Sequence, residues 1–578
     1  MTNDLRVSEL DFDRIKDNIK LFLENTPELS SYNFTGSALN IMLDLFAYVT
    51  HYNAIYGNQQ LNETFLDSAL LRASVVSRAK ELSYIPRQNT AAFFEVDITI
   101  RTSGTISQQE TFDIPKGITF TGEKDGISIP FITTEQFTLE KTDTDIFSGS
   151  IVLRQGEFIS DSFLFDSQIE NQTFTLTSDN IDTEFLEVEV APFANSSQRD
   201  LFTQASSIIE LDETSDVFFW QESNLGLVEL FFGDGILGRS LSNGNQILTR
   251  SLATLGADGN DVFDIAISES IGSVNRSAIT IETNGNSSSG GSGKESIESI
   301  KSLAPRLYAV QDRLVTASDY KAYIQANFGN VQSLAVWSGE ENVPPAFGRV
   351  FISVKPQGKD RLSNFERQQY LSELNSKNIL GINIVLVDPD LLFVDIKSNV
   401  SFSRRNSIFF ASEFENITRN AIQTFFDNNI GNLGNDLVYS QLLCAIDDSN
   451  DSIIGNLTEV FLNKKFVPGI GTNTYIIEFV NPLQPNSVSS RTWTDGLNDF
   501  VITDNNGVLG LKRDDILINN NIGLVNYETG QVVLSDFNPS INVNEEIVIT
   551  ATPVSNDIIS ERNNILIPDN IEIDVVEA

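Results

Sequence analysis

The chain has 578 residues, 40% of them hydrophobic, enough at roughly 150 residues per domain for three to five domains with substantial cores. Its 79 acidic side chains outnumber 38 basic ones, and a net charge of −41 disfavours nucleic acid and anionic membrane as partners. One histidine, His51, and one cysteine, Cys444, exclude an intrachain disulfide, cysteine-based metal sites and most histidine-dependent hydrolase mechanisms.

Basic pairs such as Arg404-Arg405 and Lys464-Lys465 read as solvated surface, and Cys444, in the apolar run YSQLLCAI, reads as inert core. The charged start MTNDLRVSELDFDR is not a signal peptide, and no apolar run reaches the ~18 residues of a membrane span. The expectation is a protein made and kept in a cytoplasm, or packed into something assembled there.

Residues 1–90 read as a helical arm. Phe12, Ile15, Ile19 and Phe22 occupy a, d, a, d positions of two heptads, too short a seam for a free-standing coiled coil. That helix packs either on the second helix of its own chain or on helices of another protein; docking with a partner is the hypothesis favoured for these four residues. The second helix, GSALNIMLDLFAYVTHYNAIYG, is apolar on most faces and is expected to be buried on most faces. His51 lies in it and reads as structural. A third helix spans TFLDSALLRASVVSRAKELSYIP and ends at Pro86.

From residue 91 to 283 the period becomes two, in segments such as AFFEVDITI and EFLEVEV, so this region is expected to be β-rich. Residues 284–296, around NGNSSSGGSGKES, have the composition of a linker or exposed loop. A phosphate-loop reading of Gly293-Lys294 fails, because Ser288 and Glu295 stand where glycine and a hydroxyl are needed. Residues 297–470 mix strands with helices. Thr316/Asp319, Ser363/Glu366 and Ser412/Glu415 have capping-box spacing. Residues 471–578 return to strands, with a hairpin turning around Glu528–Gly530. The expected fold class is α+β multidomain: a helical arm, a β-rich middle region, an α+β domain and a C-terminal β domain.

The segment VELFFGDGILGRSLSNGN contains a literal G-x-G-x-x-G in Gly233, Gly235 and Gly238. A dinucleotide site needs a helix opening at those glycines, to supply free N–H groups and dipole to the pyrophosphate. The residues after Gly238 have no 3.6-residue period, so the glycines read as turns between short strands. DDSND, Asp447–Asp451, departs from a calcium loop at Ser452 and Thr458. The carboxylate of Asp319 has a capping role already. No catalytic, cofactor or metal site is assigned.

The same residues carry a resemblance. FGDGILGRSLSNGNQI, with Gly233, Asp234, Gly235 and Gly238, followed by GADGN with Gly259 and Asn260, resembles the signature of baseplate J-like proteins from contractile-tailed bacteriophages. KESIESIKSLAPRLYAVQDRLVTASDY, with Thr316, Asp319 and Tyr320, looks like the family's second block. The opening helices and the tail, with YETGQVVLSDF and DIISERNNIL, are similar to those of myovirus baseplate wedge proteins. Family members often carry a tyrosine and more glycine where this chain has RSLATLGADGN.

The resemblance implies a structural virion protein of the tail baseplate, assembled in the bacterial host cytoplasm. It further implies dimers of the chain within each wedge and a ring of wedges around a hub that holds the baseplate together while the sheath contracts. The N-terminal helices would bundle with another wedge protein, and hub and sheath-initiating proteins are further partners. Self-association is expected through residues 294–578. Two copies at −41 repel at long range, so that contact would rest on apolar burial and strengthen from low to moderate salt. Two alternatives remain: a tail-associated glycan hydrolase, against which the scattered Trp220, Trp337 and Trp493 argue, and a receptor-binding fibre, against which the helical arm argues.

Overall fold

The computed structural model describes residues 11–27, 38–102, 108–205, 211–342, 344–404, 410–469, 471–539 and 546–577. They form an α+β molecule with two compact units, Met1–Asn330 and Val331–Ala578. The helices are α1 (Phe12–Glu24), α2 (Ala38–Asn62), α3 (Arg72–Glu81), α4 (Ile297–Val310), α5 (Ala317–Asn327), α6 (Asn364–Lys377), α7 (Ala411–Phe425) and α8 (Tyr439–Asp447).

In the first unit, α1 starts where Asp11 Oδ1 accepts the Arg14 N–H at 2.9 Å, satisfying one of the free donors of the first turn. The third helix is shorter than its sequence pattern suggests. It begins only at Arg72, and the preceding turn is held by the Glu63 carboxylate, which accepts from the N–H groups of Leu70 and Leu71 at 3.0 and 3.2 Å. Helices α3, α4 and α5 share a small core of Val75, Val76, Ala79, Ile300, Leu303 and Ala326.

The middle region is built from two sheets. One has eight strands, with Phe93–Arg101 paired antiparallel to Ile146–Gln155 and to Ile279–Glu282. Along Phe93–Arg101, Phe94, Val96, Ile98 and Ile100 are buried while Asp97 is exposed, the half-buried alternation of a sheet with one core face. Phe120, Phe131, Phe147 and Leu153 fill the rest of that core. The other sheet has seven strands, with Gln246–Ala253 paired antiparallel to Ile181–Ala191, over Phe174, Leu186, Val188, Phe202, Phe218 and Leu230.

Residues 284–296, linker or loop by composition, are clamped within this unit. Ser289 exchanges both backbone bonds with Phe93 (2.8 and 3.0 Å), and Ser292 does so with Thr90 (2.9 and 3.1 Å). Ser288, Ser289 and Ser292 are buried. Small residues are needed there because backbones meet closely, not because the chain must be flexible.

In the second unit, Val331–Ser338, Arg349–Pro356 and Asn383–Val387 form a three-stranded sheet beside α6. The large sheet has eleven strands. It joins Asp390–Phe402 and Ile453–Phe466 to the strands beyond residue 471, so it runs across the 470/471 division drawn from sequence. At one end of it Asp390–Phe402 pairs in parallel with the edge strand Asn564–Glu577, over a core that includes Leu392, Val394, Ile396, Leu462, Leu566 and Phe426. The hairpin at Glu528–Gly530 is present, between Ile516–Asn526 and Gln531–Phe537.

Two local expectations are corrected here. Helix α7 is capped at Phe410, whose N–H donates to Glu413 Oε2 at 2.7 Å; Ser412 is inside the helix, and Glu415 instead pairs with Arg419 at 3.0 Å. Cys444 is exposed on α8, because that helix buries Leu442 and Ile446 and turns the cysteine outward.

Candidate interaction surface

Helices α1 and α2 form an antiparallel hairpin. Ile15 is the buried residue of α1, the Phe12 ring meets His51 edge-on at 6.3 Å, and Lys16 pairs with Asp44 at 2.5 Å. Of the four seam residues, Ile15 is buried, Phe12 and Ile19 are half-buried, and Phe22 is 72% exposed. The seam therefore packs on its own chain through one end and leaves the other open.

The expectation that α2 is buried on most faces is overturned. Leu43 and Ala47 are buried, with Asn58 further along the same side, at helical spacing. The opposite side carries Ile41, Leu45, Tyr48, Val49, Tyr52 and Tyr56, all exposed, at spacings of 4, 3, 1, 3 and 4. Tyr48, Tyr52 and Tyr56 stack along it with centroids 4.6 and 6.2 Å apart. The hydrogen bond with Tyr52 holds the Tyr48 phenol above its ordinary pKa. Six apolar or aromatic side chains on one solvent-facing stripe are more than a lone surface helix carries, and such stripes mark interaction sites.

Elsewhere in the first unit, a buried ionic clamp fixes α3 to the seven-stranded sheet. Glu222, at the end of strand Val217–Glu222, is 4% exposed. Its carboxylate accepts from Arg72 at 2.5 and 2.9 Å and from Gln88 Nε2 at 3.0 Å. Lys80 donates to the Glu222 carbonyl at 3.1 Å, and burial lowers the pKa of this ammonium against the opposing pull of Glu229 and Glu222. A second buried carboxylate, Glu295, accepts from Tyr84 Oη at 2.7 Å and Ser299 Oγ at 2.6 Å, and burial with the Glu295 charge raises the Tyr84 pKa. Apart from Ser299, four residues from Glu295, these partners lie far apart in sequence, and spacing alone could not have paired them.

The glycine signature is a knot of turns beside the seven-stranded sheet. After Gly238 the chain runs into strand Gln246–Ala253, with no helix between. Gly238 has φ +89°, and a Cβ there would lie 2.7 Å from Val217 Cγ2. Gly233 is so close to Gly238 that its own Cβ would sit 2.4 Å from the Gly238 carbonyl, and Gly235 N–H donates to that carbonyl at 3.1 Å. Asp234 closes the turn by accepting from Leu237 and Ile236 at 3.0 and 2.9 Å, bonds that lower its carboxyl pKa. The N–H groups that a phosphate would need are thus occupied by the turn itself.

The GADGN element abuts the clamped segment: Asn260 exchanges side-chain bonds with both backbone groups of Gly291 (2.8 and 2.9 Å), and Gly259 O accepts from Ser288 Oγ at 2.7 Å. Thr316 and Asp319 form the capping box of α5, with Thr316 N–H donating to Asp319 Oδ2 at 2.8 Å, and Tyr320 is buried behind them. These signature residues fall into separate structural joints and do not converge on a cleft.

Three family models match the chain. The helical domain of baseplate wedge protein gp6-like proteins covers residues 11–84. C-terminal domains I and III of baseplate structural protein gp6 cover residues 316–387 and 390–465. The baseplate wedge protein gp6 of Enterobacteria phage T4 is 24% identical over 566 residues, spanning 93% of this chain and 82% of that protein. Among solved structures, a chain of the 6-fold symmetrised cryo-EM baseplate of the anti-feeding prophage aligns with 79% of this chain and 95% of its own length, at 13% identity and a TM-score of 0.31. By the three domain matches and the long alignment to the T4 protein, the chain is similar to the gp6-type baseplate wedge proteins.

Proposed function

We propose that this chain is a structural wedge subunit of a contractile phage-tail baseplate, and that its α1–α2 hairpin is the element that docks with helices of another wedge protein. The observation that carries the docking is the solvent-facing stripe of Ile41, Leu45, Tyr48, Val49, Tyr52 and Tyr56, in a segment matching the helical domain of the relatives. Full burial of such side chains contributes ~1.5–3 kcal/mol each before ordering costs, of order 10 kcal/mol gross for the stripe. In this reading copies of the chain also meet each other, wedges close into a ring, and the subunit serves by contact and not by catalysis. Its place is the tail baseplate of the virion, assembled in the host cytoplasm.

The test is co-expression with the other wedge proteins of the same tail. Leu45→Asp with Tyr52→Asp changes exposed positions, so the isolated chain should melt as wild type, while recovery of the wedge complex falls at least ~100-fold for a loss of ~3 kcal/mol. Wild-type recovery of the complex by the double variant would remove α2 as the docking element. Ile15→Asp is a poorer probe, because Ile15 is buried in the hairpin itself.

A further inference from the structure

We propose that strand Ile516–Asn526 is a contact by which two copies of this chain join, antiparallel edge to edge; the inference rests on the reading that copies meet. On one side this strand pairs with Val508–Arg513, from Arg513 opposite Ile516 to Val508 opposite Leu524, with register shifts between Leu509 and Leu511 and between Leu511 and Lys512. On the other it pairs with Gln531–Phe537 only from Gly523 to Asn526. Among the described residues, 516–522 therefore present an edge whose ladder groups have no strand partner, the ordinary template for strand addition. Natural edges are blunted by charge, proline or bulges. This one is irregular on its paired side but holds neither charge nor proline: Ile516, Leu517 and Ile518 are exposed, followed by Asn519, Asn520 and Asn521.

Charge identifies the occupant. The whole chain carries −41, yet residues 516–527 hold no Asp, Glu, Lys, Arg or His between Asp515 and Glu528. Two copies repel over most of their surface, and this stretch is where two backbones can approach to ladder distance without opposing carboxylates. A two-fold axis at Asn519 sets Ile516 against Ile522, Leu517 against Asn521 and Ile518 against Asn520. It also places Asp515 opposite Gly523, so the acidic turns at Asp514-Asp515 stay apart. A parallel pairing would set the two Asp515 carboxylates side by side, which fixes the antiparallel sense. Seven residues of strand bury well under the ~800 Å² per partner of a standard interface, so the contact is weak alone and gains from repetition in a closed assembly.

Single cysteines at positions 517 to 521, in the full chain with the exposed Cys444 replaced by alanine, test this with a short bismaleimide. Asn519→Cys should cross-link about tenfold faster than Cys444 of the unmodified chain at equal concentration, with rates falling symmetrically on either side. Adding Ile516→Lys and Ile518→Lys should return the Asn519→Cys rate to the Cys444 level without moving the melting temperature. Sedimentation of the unmodified chain separates the two ways of failing. Dimers without preferential cross-linking in the 517–521 series would overturn the strand assignment and leave self-association standing. A chain that stays monomeric at every concentration, with no preferential cross-link, would overturn both.

Discussion

Removing Arg72 should be the most damaging single side-chain deletion among the ion pairs of the first unit. The Arg72 side chain is 27% exposed and Glu222 only 2%, so the carboxylate depends on its bidentate partner and cannot rehydrate in place. With Arg72→Leu, Glu222 keeps Gln88 at 3.0 Å and the nearby Lys80, neither of which replaces two charged donors. Orphaning a buried charge typically costs ~3–5 kcal/mol. At ~2 °C per kcal/mol for a large domain, the first unfolding transition should fall by roughly 6–10 °C. Adding Glu222→Leu should recover at least half of that, because the pair's own net contribution is small once both charges are gone. Because the pair is buried, the loss should change little between low and high salt. Scanning calorimetry of the two singles and the double gives the coupling directly. A cost under ~1 kcal/mol for Arg72→Leu, or a double variant no more stable than the worse single, would refute the view that the clamp is a mutually dependent buried pair.

Asp182 supplies a pH dependence of known sign. Burial, with the Glu184 charge, pushes its pKa up to about 6, against the N–H bonds from Ala91 (2.7 Å) and Glu184 (3.0 Å). A raised carboxyl pKa contributes stability that is full below ~pH 4 and lost as pH rises through 6, so the stability difference between wild type and Asp182→Asn should shift by ~2–3 kcal/mol across that window; a flat difference contradicts the assignment. Gly238→Ala combines φ +89° with a contact of 2.7 Å to Val217 and should cost ~1–3 kcal/mol, and calorimetry of the wild type with a dinucleotide should show no saturable heat. Val480 has φ +64°, an outlier for a β-branched residue, so Val480→Asn should raise the melting temperature of the second unit, by ~1 kcal/mol of relieved strain; a lower melting temperature would show that its packing outweighs the strain.

Helix and strand periods are local, and the sequence showed them reliably. The seam from Phe12 to Phe22 is a helix, the Thr316/Asp319 and Ser363/Glu366 boxes cap helices, and the stretch after Gly238, which lacks a 3.6 period, leads into a strand. The same device misled at Ser412/Glu415, because Phe410 and Glu413 have equal spacing and the chain's entry direction chooses between them. The third helix was overextended for a related reason: the apolar pattern continues through residues 64–71, but Glu63 captures the N–H groups that would have propagated the helix.

The sequence by itself determined where most elements form, since propensity, caps and turn residues act within a few positions. Tertiary structure decided what covers each apolar face. A helix apolar all round reads the same whether its second face meets its own chain or solvent, and in α2 the stripe from Ile41 to Tyr56 stays outside. A Gly/Ser run reads the same as a tether or as a tightly packed strap, and only the antiparallel backbone bonds of Ser289 and Ser292 make 284–296 the latter. The Arg72–Glu222 clamp, the strand order of the eleven-stranded sheet and the open edge at residues 516–522 all depend on pairings between distant positions, which a one-dimensional pattern does not encode.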